Sequence, residues 1–284
     1  MLAEPRFGRA AKAERVTLEP EMTVAEGFET IAKGCLRHFS LNAPVVVDQR
    51  MPAALHQLRV AVRRLRAAFS LFRSAVGDDR FAELRDEFRN FSRELGEARN
   101  LDVLLQNPLD PALRHSLTER REAAYDKVVD VLESRRVRAL MSDTARWAAE
   151  GKWREHSKAD KSIGPFVAHR IDRLWNELKS AGRLSGMEEK QRHELRILVK
   201  KLRYGLEFVR ALHDGSKRRK AFGRALEDLQ ECLGLLNDAS VARTILADEA
   251  WTWVRREPSE AEHQLLRHAD HALDRLQELR PYWR

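Results

Sequence analysis

The stretch from His56 to Arg73, HQLRVAVRRLRAAFSLFR, restricts the chain more than any other. On a helix advancing about 100° per residue, His56, Arg59, Arg63, Arg66 and Arg73 fall within an arc of roughly 100°. Leu58, Val62, Leu65, Phe69 and Phe72 fall on the opposite face. Such a helix must bury one side in a core and leave the other as a cationic stripe.

The stripe occurs twice. Moving on by 137 positions gives HELRILVKKLRYGLEFVR, in which His56 is matched by His193, Arg59 by Arg196, Arg63 by Lys200, Arg64 by Lys201, Arg66 by Arg203 and Arg73 by Arg210. A single basic amphipathic helix is ordinarily a solvated surface. A duplication that repeats charge type, apolar register and a leading histidine together argues for a function.

Composition sets the class of partner without choosing one. With 52 Lys+Arg against 44 Asp+Glu the chain of 284 residues carries +8, and its sequence pI is near 9.7, a surface that attracts polyanions. Charged residues at 34%, with 13 Gly and 9 Pro, suit helices. Cys35 and Cys232 stand among apolar helical residues with no CxxC pair, which predicts free thiols in a reducing cytoplasm. There is no run of about 18 apolar residues, and Met1 to Phe7 lacks an apolar signal core. The expectation is a cytoplasmic protein with no membrane partner.

Along the chain, residues 1–20 read as a tail or irregular lead-in. Thr23, with Glu26 three places on, predicts a capped helix to about Leu41, followed by a loop from Asn42 to Pro52. The first stripe helix ends near Gly77. A third helix starts at Asp78 and reaches LGEARNLD, Leu95 to Asp102, where Gly96, Asn100 and Asp102 suggest a break or a buried polar joint. A fourth helical segment spans Ala112 to about Gly151. Residues 152–164 lose the period and read as a linker.

The order then recurs. A helix from Pro165 to about Lys179 precedes a loop through Gly182 and Gly186, and the second stripe helix ends near His213. A third helix, entered from the basic turn Asp214 to Lys220, reaches LGLLND, Leu233 to Asp238, the counterpart of Leu95 to Asn100. Asp238 is placed to cap a segment from Ala239 to Trp253, and a last helix follows Pro258. The predicted fold is all-α: two four-helix units, 21–151 and 165–284, related by internal duplication. An approximate two-fold relation would make the two stripes the walls of one basic groove, roughly 25 Å long at 1.5 Å per residue.

HQLRVAVRRLR, its echo HELRILVKKLRYGLEF, LGEARNLDV and LGLLND together resemble the signatures of the CHAD family, the conserved histidine α-helical domain. The resemblance runs from about Thr23 to Leu279. It implies two pseudo-symmetric four-helix bundles around a basic cavity or groove that binds inorganic polyphosphate, in a binding module rather than an enzyme, with some members targeted to polyphosphate granules. Carried over, it places His56, Arg59, Arg63, Arg66, His193, Arg196, Lys200 and Arg203 in the groove, with Arg64 and Lys201 as flank contacts or salt-bridge partners. Asn100 departs from the family pattern, where an aspartate is usual, so a role shared with Asp238 does not follow.

A ligand with about one negative charge per residue and no bases must be held by a row of cations giving charge-assisted hydrogen bonds. Arginine grips two oxygens with its planar fork and lysine acts as a point charge, while histidine contributes most when protonated. Phosphate or sulfate would be the small-anion mimics. A nucleic-acid-binding helical protein is the alternative, against which the stripe offers no Asn, Gln or aromatic residues to read or stack bases. Catalysis by His56 or His193, or a metal on Asp102 or Asp238, lacks a clustered carboxylate pair or metal-ligand spacing. No catalytic residue, metal or cofactor is expected. Trp251, Trp253 and Trp283 read as packing or surface residues, Lys217 to Lys220 as a solvated turn, and His263, His268 and His271 as ordinary helix residues.

Overall fold

The computed structural model describes residues 8–213, 217–248 and 259–284. Among them the regular elements are helices, apart from an isolated bridge between Thr23 and Ser162. The chain divides into two compact units, 1–163 and 164–284.

The first unit holds α1 (Val24–Gln49), α2 (Pro52–Val76), α3 (Asp79–Glu94), α4 (Gly96–Leu104), α5 (Pro111–Glu133) and α6 (Arg135–Glu150). Thr23 caps α1 in a reciprocal box with Glu26. The helix does not stop at Leu41 but continues through Pro44 to Gln49. Proline in a helix interior costs about 3 kcal/mol. Burial of Val45 and Val46, 6% and 0% exposed, at about 1.5–3 kcal/mol each, outweighs it. Helix α1 ends on Arg50 in the left-handed region, φ 48°, where glycine is the usual residue. The side chain is held there by Glu122 at 3.1 Å and Asp126 at 2.5 Å.

Helix α2 begins on Pro52, whose missing N–H is no loss in a first turn, and stops at Gly77. Asp78 caps α3 by accepting from the Phe81 N–H at 2.7 Å. Beyond it, two of the four expected segments are each broken in two. The third breaks at Leu95. The fourth breaks at Ser134, whose hydroxyl accepts from the Val137 N–H at 3.2 Å and so starts α6. The core between these helices is aromatic: Phe28 meets Trp153 edge-on at 5.3 Å and Trp147 edge-on at 5.5 Å.

Both ends of this unit are more ordered than their sequences suggest. In the lead-in, Leu18 is 1% exposed. The Ala11 N–H donates to Asn42 Oδ1 at 3.0 Å, and the Ala11 carbonyl accepts from Asn42 Nδ2 at 3.0 Å. Residues 152–162 do lose the α-helical period, but Trp153 and Ala159 are fully buried. The Trp153 indole donates to the Trp147 carbonyl at 2.9 Å. The Ala25, Val24 and Ile163 N–H groups then bond to the Ala159, Lys161 and Met22 carbonyls at 2.9, 2.8 and 3.0 Å. Gly27 lets this close approach happen, since a Cβ there would lie 1.8 Å from Ile163 Cδ1.

The second unit is formed by α7 (Ile163–Lys179), α8 (Glu189–Phe208), α9 (Lys217–Asp248) and α10 (Glu260–Glu278). Its core includes Trp175, Phe222 and Trp283, with Trp283 at 5.0 Å from Phe222 and its indole donating to Asp172 at 2.9 Å. Trp283 is thus a packing residue; Trp251 and Trp253 lie outside the described residues. Helix α9 corrects one expectation. It runs unbroken through LGLLND, so Asp238 caps nothing and lies exposed mid-helix. Lys217 to Lys220 form its first turn, with Arg219 donating to the His213 carbonyl at 2.9 Å.

Candidate functional site

On α2 the apolar face is buried as its spacing demands: Leu58, Val62, Leu65, Phe69 and Phe72 are each no more than 2% exposed. His56, Arg59, Arg63 and Arg66 are half-buried and Arg73 is exposed. Their stems lie along the protein while the charged ends reach its surface. The stripe is fixed against the neighbouring helices. Arg59 Nη1 donates to the Ser92 carbonyl of α3 at 3.1 Å. A Cβ at Gly96 would lie 3.8 Å from the same nitrogen, at ordinary contact distance, so the guanidinium packs over the start of α4.

Arg64 must be taken out of the set. It is 1% exposed, and its Nη2 donates to the Glu14 carbonyl at 3.4 Å. Its side of α2 carries Ala61 and Ala68, both buried, and these small side chains leave room for an arginine beneath the lead-in. Burial also acts on Arg66. Desolvation first, then the guanidiniums of Arg89 and Arg93 on α3, hold its pKa below the usual arginine value. Arg89 and Arg93 were not legible as stripe residues, although they are spaced at i, i+4 and lie beside the apolar register of Phe88 and Phe91.

Helix α8 repeats the pattern with differences. Leu195, Leu198, Val199, Leu202 and Phe208 are buried, Arg196, Lys200, Lys201 and Arg203 are half-buried, and His193 is exposed. Lys201 stays at the surface where Arg64 is enclosed. Arg203 lies 3.7 Å from Glu207 and 4.4 Å over the Tyr204 ring. Arg210 is exposed and leaves the helical register, because α8 ends at Phe208 and a short 3-10 turn follows. A cleft of about 460 Å³ opens beside this stripe, lined by Lys190, His193 and Arg196 of α8, Leu233 and Asn237 of the LGLLND stretch, and Leu266 of α10.

The acids of the motifs take other roles. Asp102 on α4 is 4% exposed. It accepts from Arg121 Nε at 2.8 Å and from the Tyr125 hydroxyl at 2.9 Å. Burial first, then the Asp102 carboxylate, push the Tyr125 phenol far above its ordinary pKa, so it remains a donor. This is the buried polar joint that Gly96 and Asp102 suggested; Asn100 lies half-buried on the same short helix. Among the described residues no cluster of His, Cys, Asp and Glu is suited to a metal, and no helix is long and apolar enough to cross a membrane. His263, His268 and His271 are exposed on α10, His263 Nδ1 lying 3.0 Å from the Ser259 carbonyl.

Chemically, each unit presents half-buried cations in a fixed row, suited to an anion with oxygens along an extended line. Comparison with known proteins agrees with the fold. The CHAD domain profile matches residues 30–247. Among solved structures, the CHAD domain from the plant Ricinus communis is 30% identical over 96% of this chain and 93% of its own, with a TM-score of 0.78. PptA from Streptomyces chartreusis is 20% identical, over 90% of this chain and 99% of its own, with a TM-score of 0.59, a likeness of fold alone. No curated protein matches.

Proposed function

The chain belongs to the CHAD family, and from that premise we propose that it binds inorganic polyphosphate without catalysing a reaction on it. One observation carries the reading: in two separate helices the same face bears His, Arg or Lys at matching positions, with Arg59, Arg63, Arg66 and their counterparts Arg196, Lys200, Arg203 half-buried and the opposite face core. A row of cations held this way repels itself when empty and gains when an anion neutralises it. Release of condensed counterions from the polyanion adds to the driving force.

The proposal extends to architecture. Each unit carries one copy of the duplicated pattern, and each stripe contributes its own cations to the polyanion. Binding rather than catalysis is favoured by the state of Asp102, which Arg121 and Tyr125 engage. A protein with this activity would collect at cytoplasmic polyphosphate granules.

Titration with long-chain inorganic polyphosphate at several salt concentrations tests the reading. Affinity should fall log-linearly and steeply with salt. The Arg63→Glu, Lys200→Glu double variant should lose binding at least 100-fold while its helical circular dichroism is unchanged. Polyphosphate should displace labelled DNA or RNA far better than the reverse at equal phosphate concentration. Equal competition by nucleic acid would favour the nucleic-acid reading, and tight polyphosphate binding by the double variant would end the stripe model.

A further inference from the structure

The neighbours of the two stripes are not alike. Along α3 the buried register Leu84, Phe88, Phe91 and Leu95 corresponds, 138 positions on, to Phe222, Leu226, Leu229 and Leu233 of α9, all buried. In the same register Arg89 and Arg93 correspond to Glu227 and Glu231, and all four are exposed. Arg85, Arg89 and Arg93 step by about 40° each, so they share one flank of α3. Ser92, whose carbonyl takes Arg59, lies on that same flank. Arg89 and Arg93 also act electrostatically on Arg66 of α2.

The nearby acids differ as well: Asn90 is matched by Asp228, while Asp86 and Glu94 are matched by Arg224 and Cys232. Asp86 holds Arg85 through two contacts, at 3.2 and 3.3 Å, and lies farther from Arg89, at 3.8 Å. Arg93 donates to the neutral Asn90 at 3.4 Å. In the second unit Arg203 has Glu207 at 3.7 Å, whereas the matching position in the first unit is Ser70.

We propose that the first unit carries a two-row phosphate site of its own, Arg59 and Arg66 from α2 with Arg89 and Arg93 from α3, and that the second unit carries a weaker single-row face flanked by Glu227 and Glu231. The inference rests on the polyphosphate reading and deepens it. The two rows suit a short linear phosphate such as tripolyphosphate, which needs several cations converging on few oxygens. A single row suits a long chain that meets one cation at a time. The first unit is therefore the tighter site for a short phosphate, and the face of the second is the weaker.

Calorimetry on the full chain with sodium tripolyphosphate and with long-chain polyphosphate decides the matter. Arg89→Gln with Arg93→Gln should weaken tripolyphosphate binding about tenfold or more, and should flatten the salt dependence of long-chain binding. Glu227→Gln with Glu231→Gln should strengthen long-chain binding several-fold and leave tripolyphosphate binding within about twofold. Gln keeps these exposed positions polar, and circular dichroism controls for folding. If wild type binds both phosphates and the Arg89, Arg93 variant binds tripolyphosphate as well as wild type does, the two-row site is wrong while the polyphosphate reading stands. If wild type binds neither, the polyphosphate reading itself falls, and this inference with it.

Discussion

LGEARNLD in the first unit and LGLLNDAS in the second begin alike and fold differently. The first breaks at Leu95 and restarts as α4; the second runs straight on inside α9. The shared leucine and glycine do not decide this. In the common register Asp102 is matched by Ser240. Asp102 is enclosed and must reach Arg121 and Tyr125 on α5, so the chain turns to bring it there. Ser240 has no such obligation. It lies half-exposed and donates to Glu189 at the start of α8. A motif can thus mark equivalent positions in two repeats while a residue a few places farther on sets the backbone path.

The sharpest way to break this comparison is Asp102→Ala. Arg121 keeps Glu122 at 2.5 Å and the Arg50 carbonyl at 3.1 Å, but it and Tyr125 each lose a bond to a buried carboxylate, at about 1.5–3 kcal/mol apiece. Urea denaturation should show that loss, whereas Ser240→Ala should change stability by about 0.5 kcal/mol or less. Equal effects at the two positions would mean that the acid does not hold the break. Tyr125→Phe is milder. It removes one hydrogen bond to a carboxylate, worth about 1.5 kcal/mol, and should leave α4 in place by amide hydrogen exchange.

The smallest effect belongs to the second unit. His213 is held below its ordinary pKa by burial and then by Arg219. Its Nε2 is buried with no hydrogen-bond partner, and its ring meets Tyr282 edge-on at 6.0 Å. As the folded pKa is depressed, the unfolded chain takes up the proton first. The contribution is full above the unfolded value, about 6.5, and is lost as pH falls toward the folded one. Tm should drop between pH 7.5 and 5.5, and His213→Phe should remove that part of the drop. An unchanged pH profile in the variant would show that His213 is not its source.

The residues that announced themselves in the sequence were those whose local chemistry is sufficient. Thr23 with Glu26, Pro52 and Gly77 fix helix ends within a few residues, and the spacing of Leu58 to Phe72 fixes a buried face. What escaped depends on contacts that the local pattern does not announce. Pro44 looks like a stop until the burial of Val45 and Val46 is known. Ser134 is one serine among charged residues until its hydroxyl is seen on the Val137 N–H. Arg64 has the charge of a stripe residue, and only the alanines around it and the Glu14 carbonyl explain its enclosure. Arg89 and Arg93 went unread, and gain meaning only through their effect on Arg66 of α2.

The stitching of residues 22–25 to 159–163 has a consequence for how such a chain can arise and be rebuilt. The Ile163 N–H bonds to the Met22 carbonyl, and the Thr23 and Ser162 backbones are paired, so the start of α1 and the segment leading into α7 meet at one point. A stretch whose ends meet can be copied in tandem without a long connector, because neither copy has a distance to span. Grafted into a surface turn of an unrelated scaffold, the same stretch would need its lead-in as well, because Leu18 is buried and the Glu14 carbonyl takes Arg64.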